Sequence, residues 1–203
     1  MDIVRYPDIM VDIETTGSPA TMGVDTIGCI QIGAVKFNAD TQEVGPFFKR
    51  SLALAPNRHW DEDTRTWWQG KNRAVLDSIL ARMEDPQQVI RDFFAFATAP
   101  DVTEGGGRFW AKPTTFDYSI VHSYMRQYGL PMPWHFRQAR DLNTYMAALG
   151  GGARHQEMKH VEPVGNQHDA LDDCFFQLKM LFAAQNGDFG PQTIDVVAVE
   201  VVA

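Results

Sequence analysis

The first fifty residues alternate between apolar and polar positions. Residues 8–15, DIMVDIET, read as a strand, in which residues two apart share a face. CIQIGAVKF, Cys29 to Phe37, reads as a second strand. Ile30, Ile32, Ala34 and Lys36 fall on one of its faces, and Gln31, Gly33, Val35 and Phe37 on the other. VGPFFKRSLAL forms a third after the turn-like NADTQE, and the short connection predicts antiparallel pairing.

The period then lengthens to that of helices. DEDTRTWWQGKN opens on acids and predicts a short helix, and NRAVLDSILARM places Val75, Ile79 and Leu80 at helical spacing. DPQQVIRDFFAFA begins with Asp85 as N-cap and Pro86 in the first helical position. GRFWA, Gly107 to Ala111, is a short buried strand. TTFDYSIVHSYMRQYG is a helix closed by Gly129 and Pro131, and QARDLNTYMAAL runs from strand into helix. A glycine- and histidine-rich loop, 150–167, leads to the last long helix, HDALDDCFFQLKMLFAAQNG. Its expected core stripe is Leu171, Phe175, Leu178 and Phe182. The tail TIDVVAVEVVA alternates like a strand and has no assigned role. This order predicts an α/β three-layer domain with a mixed five-stranded sheet flanked by helices. No repeat, low-complexity tract or composition break divides residues 1–203, so a single domain is expected.

Composition narrows the class. Apolar residues make up 44% of the 203, enough for a real core. No apolar run approaches bilayer length, and the N-terminus lacks the layout of a signal peptide, so no membrane association is expected. Cys29 and Cys174 are too few for a disulfide framework and read as buried thiols in a cytosolic protein. The net charge of -8 argues against a broad basic surface for nucleic acid. It leaves room for a compact site in which bound cations hold phosphates, provided that acids cluster.

Three segments offer such acids. Asp12 and Glu14 project from one face of the first strand, near its end. Like charges that close repel and are costly to desolvate, and a divalent cation removes both costs. A solvated edge strand is the alternative. Asp117 lies just past the strand RFWA, in the first turn of a helix, where capping is the alternative reading. HDALDD offers His168, Asp169, Asp172 and Asp173 at the start of the last helix. Asp173 shares a face with Asp169, Phe176 and Met180, which predicts cover, whereas Asp172 lies nearer Lys179 and reads as exposed.

VDIETTG, the acid in TTFDYSIV and HDALDD together resemble, in order and spacing, the three motifs of the DEDDh 3′→5′ exonucleases of the ribonuclease H-like superfamily, which includes proofreading subunits, ribonuclease T and oligoribonuclease. His168, Ala170 and Asp173 fit the third motif. DEDTRTWWQGKN and RDLNTYMAAL are similar to a branch holding phage exonuclease A, exonuclease VIII-like proteins and a mycobacterial exoribonuclease-like family. One departure stands out: many relatives carry His-Asn shortly before the second-motif aspartate, and here the segment reads WAKPTTFD, which leaves the substrate contacts open.

The resemblance implies a ribonuclease H-like fold and hydrolysis from the 3′ end of DNA or RNA, with release of nucleoside 5′-monophosphates. It implies two divalent cations, Mg²⁺ or Mn²⁺, about 3.5–4 Å apart, held by Asp12, Glu14, Asp117 and Asp173. Asp12 would be the bridging ligand and His168 the general base, a role suited by histidine's ordinary pKa of about 6.5. A capping role is the alternative for His168. Thr15, Thr16 and Gly17 would meet the terminal nucleotide through backbone, and Phe116 or Tyr118 would line the site. Trp67 and Trp68 are expected to split between core and surface, with base stacking open to them. Arg154, His155, Lys159 and His160 make a basic loop, in which Arg154 and Lys159 are expected to govern affinity and its salt dependence. The same relatives imply a homodimer and the cytoplasm of a bacterial or phage-infected cell. Two other functions fit this fold: a non-catalytic nucleic-acid-binding module, and a phosphodiesterase of small nucleotides.

Overall fold

The computed structural model describes residues 5–102, 107–150, 158 and 160–189. Its elements run β1 (Asp8–Thr15), β2 (Cys29–Asn38), β3 (Glu43–Leu52), α1 (Glu62–Gln69), α2 (Arg73–Leu80), β4 (Met83–Glu84), α3 (Pro86–Ala97), β5 (Arg108–Ala111), α4 (Thr114–Gln127), β6 (Ala139–Asp141), α5 (Leu142–Gly150) and α6 (Ala170–Gln185). The strands form one mixed sheet in the order β4-β3-β2-β1-β5-β6. β1, β2 and β3 pair antiparallel, while β4, β5 and β6 join as parallel neighbours.

The sheet has six strands rather than the expected five. The sixth is the two-residue β4, whose Met83 and Glu84 lie opposite Ser51 and Leu52 on the outer edge of β3. Two residues are too few to show a strand period, so the segment reads as the end of a helix. In the fold α2 stops at Leu80, and the Ala81 N–H returns to the Asp77 carbonyl. Pro46 sits within β3 where β4 does not cover it. The β2–β3 register also slips there, so the missing N–H of proline breaks no ladder bond.

Both faces of the sheet are covered. Ile9, Val11 and Ile13 of β1 pack into a core with Val89 and Phe93 of α3 and Ile120 and Tyr124 of α4. Met10 points the other way, against Met146 of α5 and Leu171, Cys174 and Leu178 of α6. The stripe of α6 is therefore Leu171, Cys174, Leu178 and Leu181, and Phe175 and Phe182 are only partly buried. The small Cys174 side chain lets the helix sit close, its thiol 3.7 Å from the Met10 carbonyl. Cys29 and Cys174 are buried free thiols, as expected.

Gly33 of β2 lies opposite Asp12. A Cβ there would come within 2.3 Å of the Ala170 carbonyl carbon and oxygen. The first turn of α6 thus rests directly on β2 backbone, which brings its acids over the end of β1. Gln31 completes the seat by accepting the Ala170 N–H at 2.8 Å. Among the described residues no helix is long and apolar enough to cross a membrane. The strand-like tail lies outside the described residues.

Candidate metal centre

Asp8, Asp12 and Glu14 are acids on one face of one strand, and the protein treats them differently. Asp8 is fully buried and fully paired. It takes two hydrogen bonds of 2.6 Å from Arg108, one of 2.6 Å from Trp110 Nε1 and one of 3.1 Å from the Ala39 N–H. Asp12 has the Gln177 amide, whose Nε2 donates to its Oδ1 at 2.7 Å. Glu14 is buried, and its Oε1 has no hydrogen-bond partner among the described residues.

Asp117 and Asp173 join this pair from two helices. β1 runs on past Met10, its last residue paired with β5. Asp117, in the first turn of α4, accepts the Ile13 N–H beyond that point at 3.1 Å. Asp117 is thus bonded to the strand that bears Asp12 and Glu14, as well as to the backbone of its own helical turn. Asp173 accepts the His168 N–H at 2.9 Å. Ligand atoms of Glu14, His168 and Asp173 lie within 4.8 Å of one another. Asp169, the helix N-cap, is instead bound to Lys49 at 2.5 Å, and Asp172 accepts the Asn166 N–H, so neither belongs to the cluster.

Burial perturbs all four acids in one direction, and neighbouring acids add to it for Asp12, Glu14 and Asp173. Burial pushes the Glu14 carboxyl up to about 8, with Asp173, Asp117 and Asp169 adding to it. Burial also carries Asp117 to about 8. Asp12 is raised by burial and then by Asp117, Glu14 and Asp173, and Asp173 is raised chiefly by burial. A set of covered carboxylates that resist ionisation, with few protein donors and no cationic partner within ion-pair distance among the described residues, fits hard divalent cations, which bind carboxylate oxygen and supply the missing charge.

That arrangement fixes a pH dependence. Glu14 and Asp117 hold their protons in the fold up to about pH 8, whereas ordinary carboxyls of the unfolded chain release theirs at about pH 4. Between those limits the folded state holds more protons than the unfolded chain, so stability falls as pH rises. The melting temperature of chelator-treated protein is expected to drop steadily from pH 5 to pH 8. Saturating Mg²⁺ or Mn²⁺ should restore roughly 5–11 °C at a hundredfold excess over Kd, most at the alkaline end. Melting curves with and without the cation across this range check both signs.

His168 adopts φ of 64° at the entrance to α6. Its ring meets Trp67 edge-to-face, with centroids 4.7 Å apart. The two tryptophans divide as expected: Trp68 is buried, with Nε1 bonded to the Thr15 carbonyl at 3.0 Å, and Trp67 is 47% exposed. The turn after β1 is braced from within. Thr15 Oγ1 donates to the Gly17 carbonyl, and Thr16 Oγ1 donates to the His59 carbonyl and accepts the Gly28 N–H. Both hydroxyls are thus spent on the turn. Phe116 is partly buried against the first core, and the Tyr118 hydroxyl is bonded to the Trp134 carbonyl. Arg154, His155 and Lys159 lie outside the described residues, and His160 faces Asp188 at 3.1 Å.

Residues 7–185 match the 3′-5′ exoribonuclease Rv2179c-like domain. The chain belongs to this family. The matched span contains Asp12, Glu14, Asp117, His168 and Asp173. No curated relative matches. Among solved structures, cell-death related nuclease 4 is similar over 92% of this chain and 66% of its own, with 19% identity and a TM-score of 0.66. S. pombe Pop2p, in a form with Mg²⁺ and Mn²⁺ bound, is similar over 92% and 86%, with 14% identity and a TM-score of 0.65. The nuclease domain of 3′hExo, described as a DEDDh family member bound to rAMP, is similar over 92% and 96%, with 14% identity and a TM-score of 0.59. At these identities the likeness establishes the ribonuclease H-like fold. This chain spans just under two thirds of the length of the first of these structures.

Gln177, Gln31, Lys112 and the Trp67–His168 contact were not legible as site features in the sequence. Gln177 lies one helical turn after Asp173 and so shares its face, but glutamine is ordinary in a helix. The bond to Asp12 spans 165 residues and exists only in the fold.

Proposed function

We propose that this protein is a metal-dependent 3′→5′ exonuclease of the DEDDh type. The observation that carries the reading is the contrast along β1: Asp8 is saturated by protein donors, while Asp12 and Glu14 face two further acids with a single donor and an orphaned oxygen between them. Asp12, Glu14, Asp117 and Asp173 would hold two divalent cations, Mg²⁺ or Mn²⁺. When bound, these supply the positive charge that draws a phosphodiester into an acidic site and offsets the charge building on phosphorus.

The chain's own residues account for the rest. His168 takes the proton of the attacking water. Its backbone is tied to Asp173 and its ring packs edge-to-face on Trp67, which favours an orientation toward the cluster. The water oxygen bonds to phosphorus as the bond to the 3′ oxygen of the penultimate nucleotide breaks, and that oxygen takes a proton from solvent water. A nucleoside 5′-monophosphate leaves and a new 3′ hydroxyl remains. The exposed face of Trp67, beside His168, suits stacking of the terminal base. The braced Thr15-Thr16-Gly17 turn offers backbone, through Gly17, to the 3′ end. Phe116 adds apolar wall, and Arg154 and Lys159 would contact the phosphates behind. The family's description favours RNA as the first substrate to try.

The test is digestion of matched RNA and DNA oligonucleotides, labelled at either end, with Mg²⁺ or Mn²⁺, beside a His168→Ala variant. Stepwise shortening from the 3′ end that stops with chelator and falls steeply in the variant supports the reading. Internal cleavage, shortening from the 5′ end, or full activity in the variant overturns it.

A further inference from the structure

Lys112 brings an ammonium to the acidic site and meets no oxygen partner among the described residues. The residue follows β5 directly and stands five positions before Asp117, in the segment where this chain departs from the His-Asn pattern. Its side chain is partly buried. The contact made by Nζ is the thioether of Met180, at 3.8 Å, and sulfur is a weak acceptor. Asp12 and Asp173 are near enough to act on it through their charge, but neither is within ion-pair distance.

Other covered cations of this protein are treated otherwise. Lys36 binds Asp101 at 2.6 Å, Lys49 binds Asp169 at 2.5 Å and Arg108 grips Asp8. The Arg58 guanidinium donates to Val24, Ile27, Ser123 and Gln127. Removing an ammonium from water without an acceptor is costly. The cost is met when an anion arrives, and the anion that an exonuclease site receives is a phosphodiester. Met180 lies two turns beyond Asp173 on the covered face of α6. The amine therefore approaches the cluster from the side of β5 and the middle of α6, away from His168 and Trp67 at the helix entrance.

We infer that Lys112 is a substrate-binding residue whose ammonium takes a phosphate oxygen of the nucleic-acid strand beside the reacting end. This assignment rests on the exonuclease reading. A competing role is structural: the ammonium would serve only as an internal countercharge to the acids. The two roles predict opposite effects. A phosphate contact acts on substrate affinity and carries a share of the salt dependence, whereas a countercharge acts on folding and on the acids.

The test compares full-length wild type, Lys112→Met and Lys112→Arg on a 3′-labelled single strand with Mn²⁺. In Lys112→Met, KM should rise about tenfold or more. The slope of log(kcat/KM) against log salt should flatten by about 0.7. Lys112→Arg should recover most of the KM. Affinity for Mn²⁺ alone, by calorimetry, should be unchanged or tighter, because a positive charge has left the neighbourhood. A Lys112→Met enzyme with unaltered KM and salt slope overturns the assignment. So does one whose only changes are a lower melting temperature and weaker Mn²⁺ binding. A wild-type protein that removes no 3′ nucleotide overturns the exonuclease reading itself, a result distinct from both.

Discussion

Asp12→Asn should abolish hydrolysis and, in metal-free protein, raise stability. The substitution keeps the shape and the oxygen that accepts from Gln177. It removes the charge that burial and three neighbouring acids oppose. Losing a carboxylate of the proposed cation site should forfeit several kcal/mol of transition-state stabilisation, a fall in kcat of about 10³-fold or more. Relief of repulsion should return about 1–2 kcal/mol to the metal-free fold, or roughly 2–8 °C. The gain should grow as pH rises, because only the ionised wild-type group carries the penalty. It should shrink or reverse with Mn²⁺, which stabilises wild type more than the variant. Paired measurements of single-turnover rate and melting temperature decide the matter. A variant less stable than wild type under chelator would mean that Asp12 serves as a structural acid, as Asp8 does.

Gly33→Ala should damage the site from a residue that never touches substrate. The added methyl would lie 2.3 Å from the Ala170 carbonyl carbon and oxygen and 2.5 Å from the Leu171 nitrogen. All three are backbone atoms, so no side chain can swing aside. Strand β2 is buried on both faces and cannot retreat, so α6 must move by roughly 1 Å. Overpacking of this kind costs about 1–3 kcal/mol, and a shift of that size at a reacting centre costs about 10²-fold in rate. His168 and Asp173 travel with the helix, while Asp12 and Glu14 stay with the strand. Gly23→Ala is the control, since its methyl would meet only Thr26 Oγ1 at 3.8 Å. Rates and melting curves for the two variants should separate widely, and equal behaviour would show that α6 does not set the site's geometry.

The candidate ligands were legible because each is tied to a local rule. Alternation in β1 places Asp12 and Glu14 on one side, the first turn of α4 presents Asp117, and the entrance of α6 presents His168 and Asp173. The α6 core stripe was misjudged for a related reason. Period alone favoured large Phe175 and Phe182, whereas close seating on β1 favours small Cys174. β4 was missed because two residues have no period to read, and their pairing depends on the free edge of β3.

The sequence by itself determined the layered α/β order, the elements bearing the five candidate site residues and the shortage of cysteine and positive charge, since these follow from periods and composition within short windows. Only the tertiary structure decided which acids are paired. Asp8 and Asp12 look alike in DIMVDIET, yet one meets Arg108 and Trp110 across 100 and 102 residues and the other meets Gln177 across 165. It also brought the Lys112 ammonium to the acids with no oxygen partner among the described residues and laid Trp67 against His168. A carboxylate's role depends on the donors that folding brings within 3 Å of it, and no local pattern encodes contacts made at such separations.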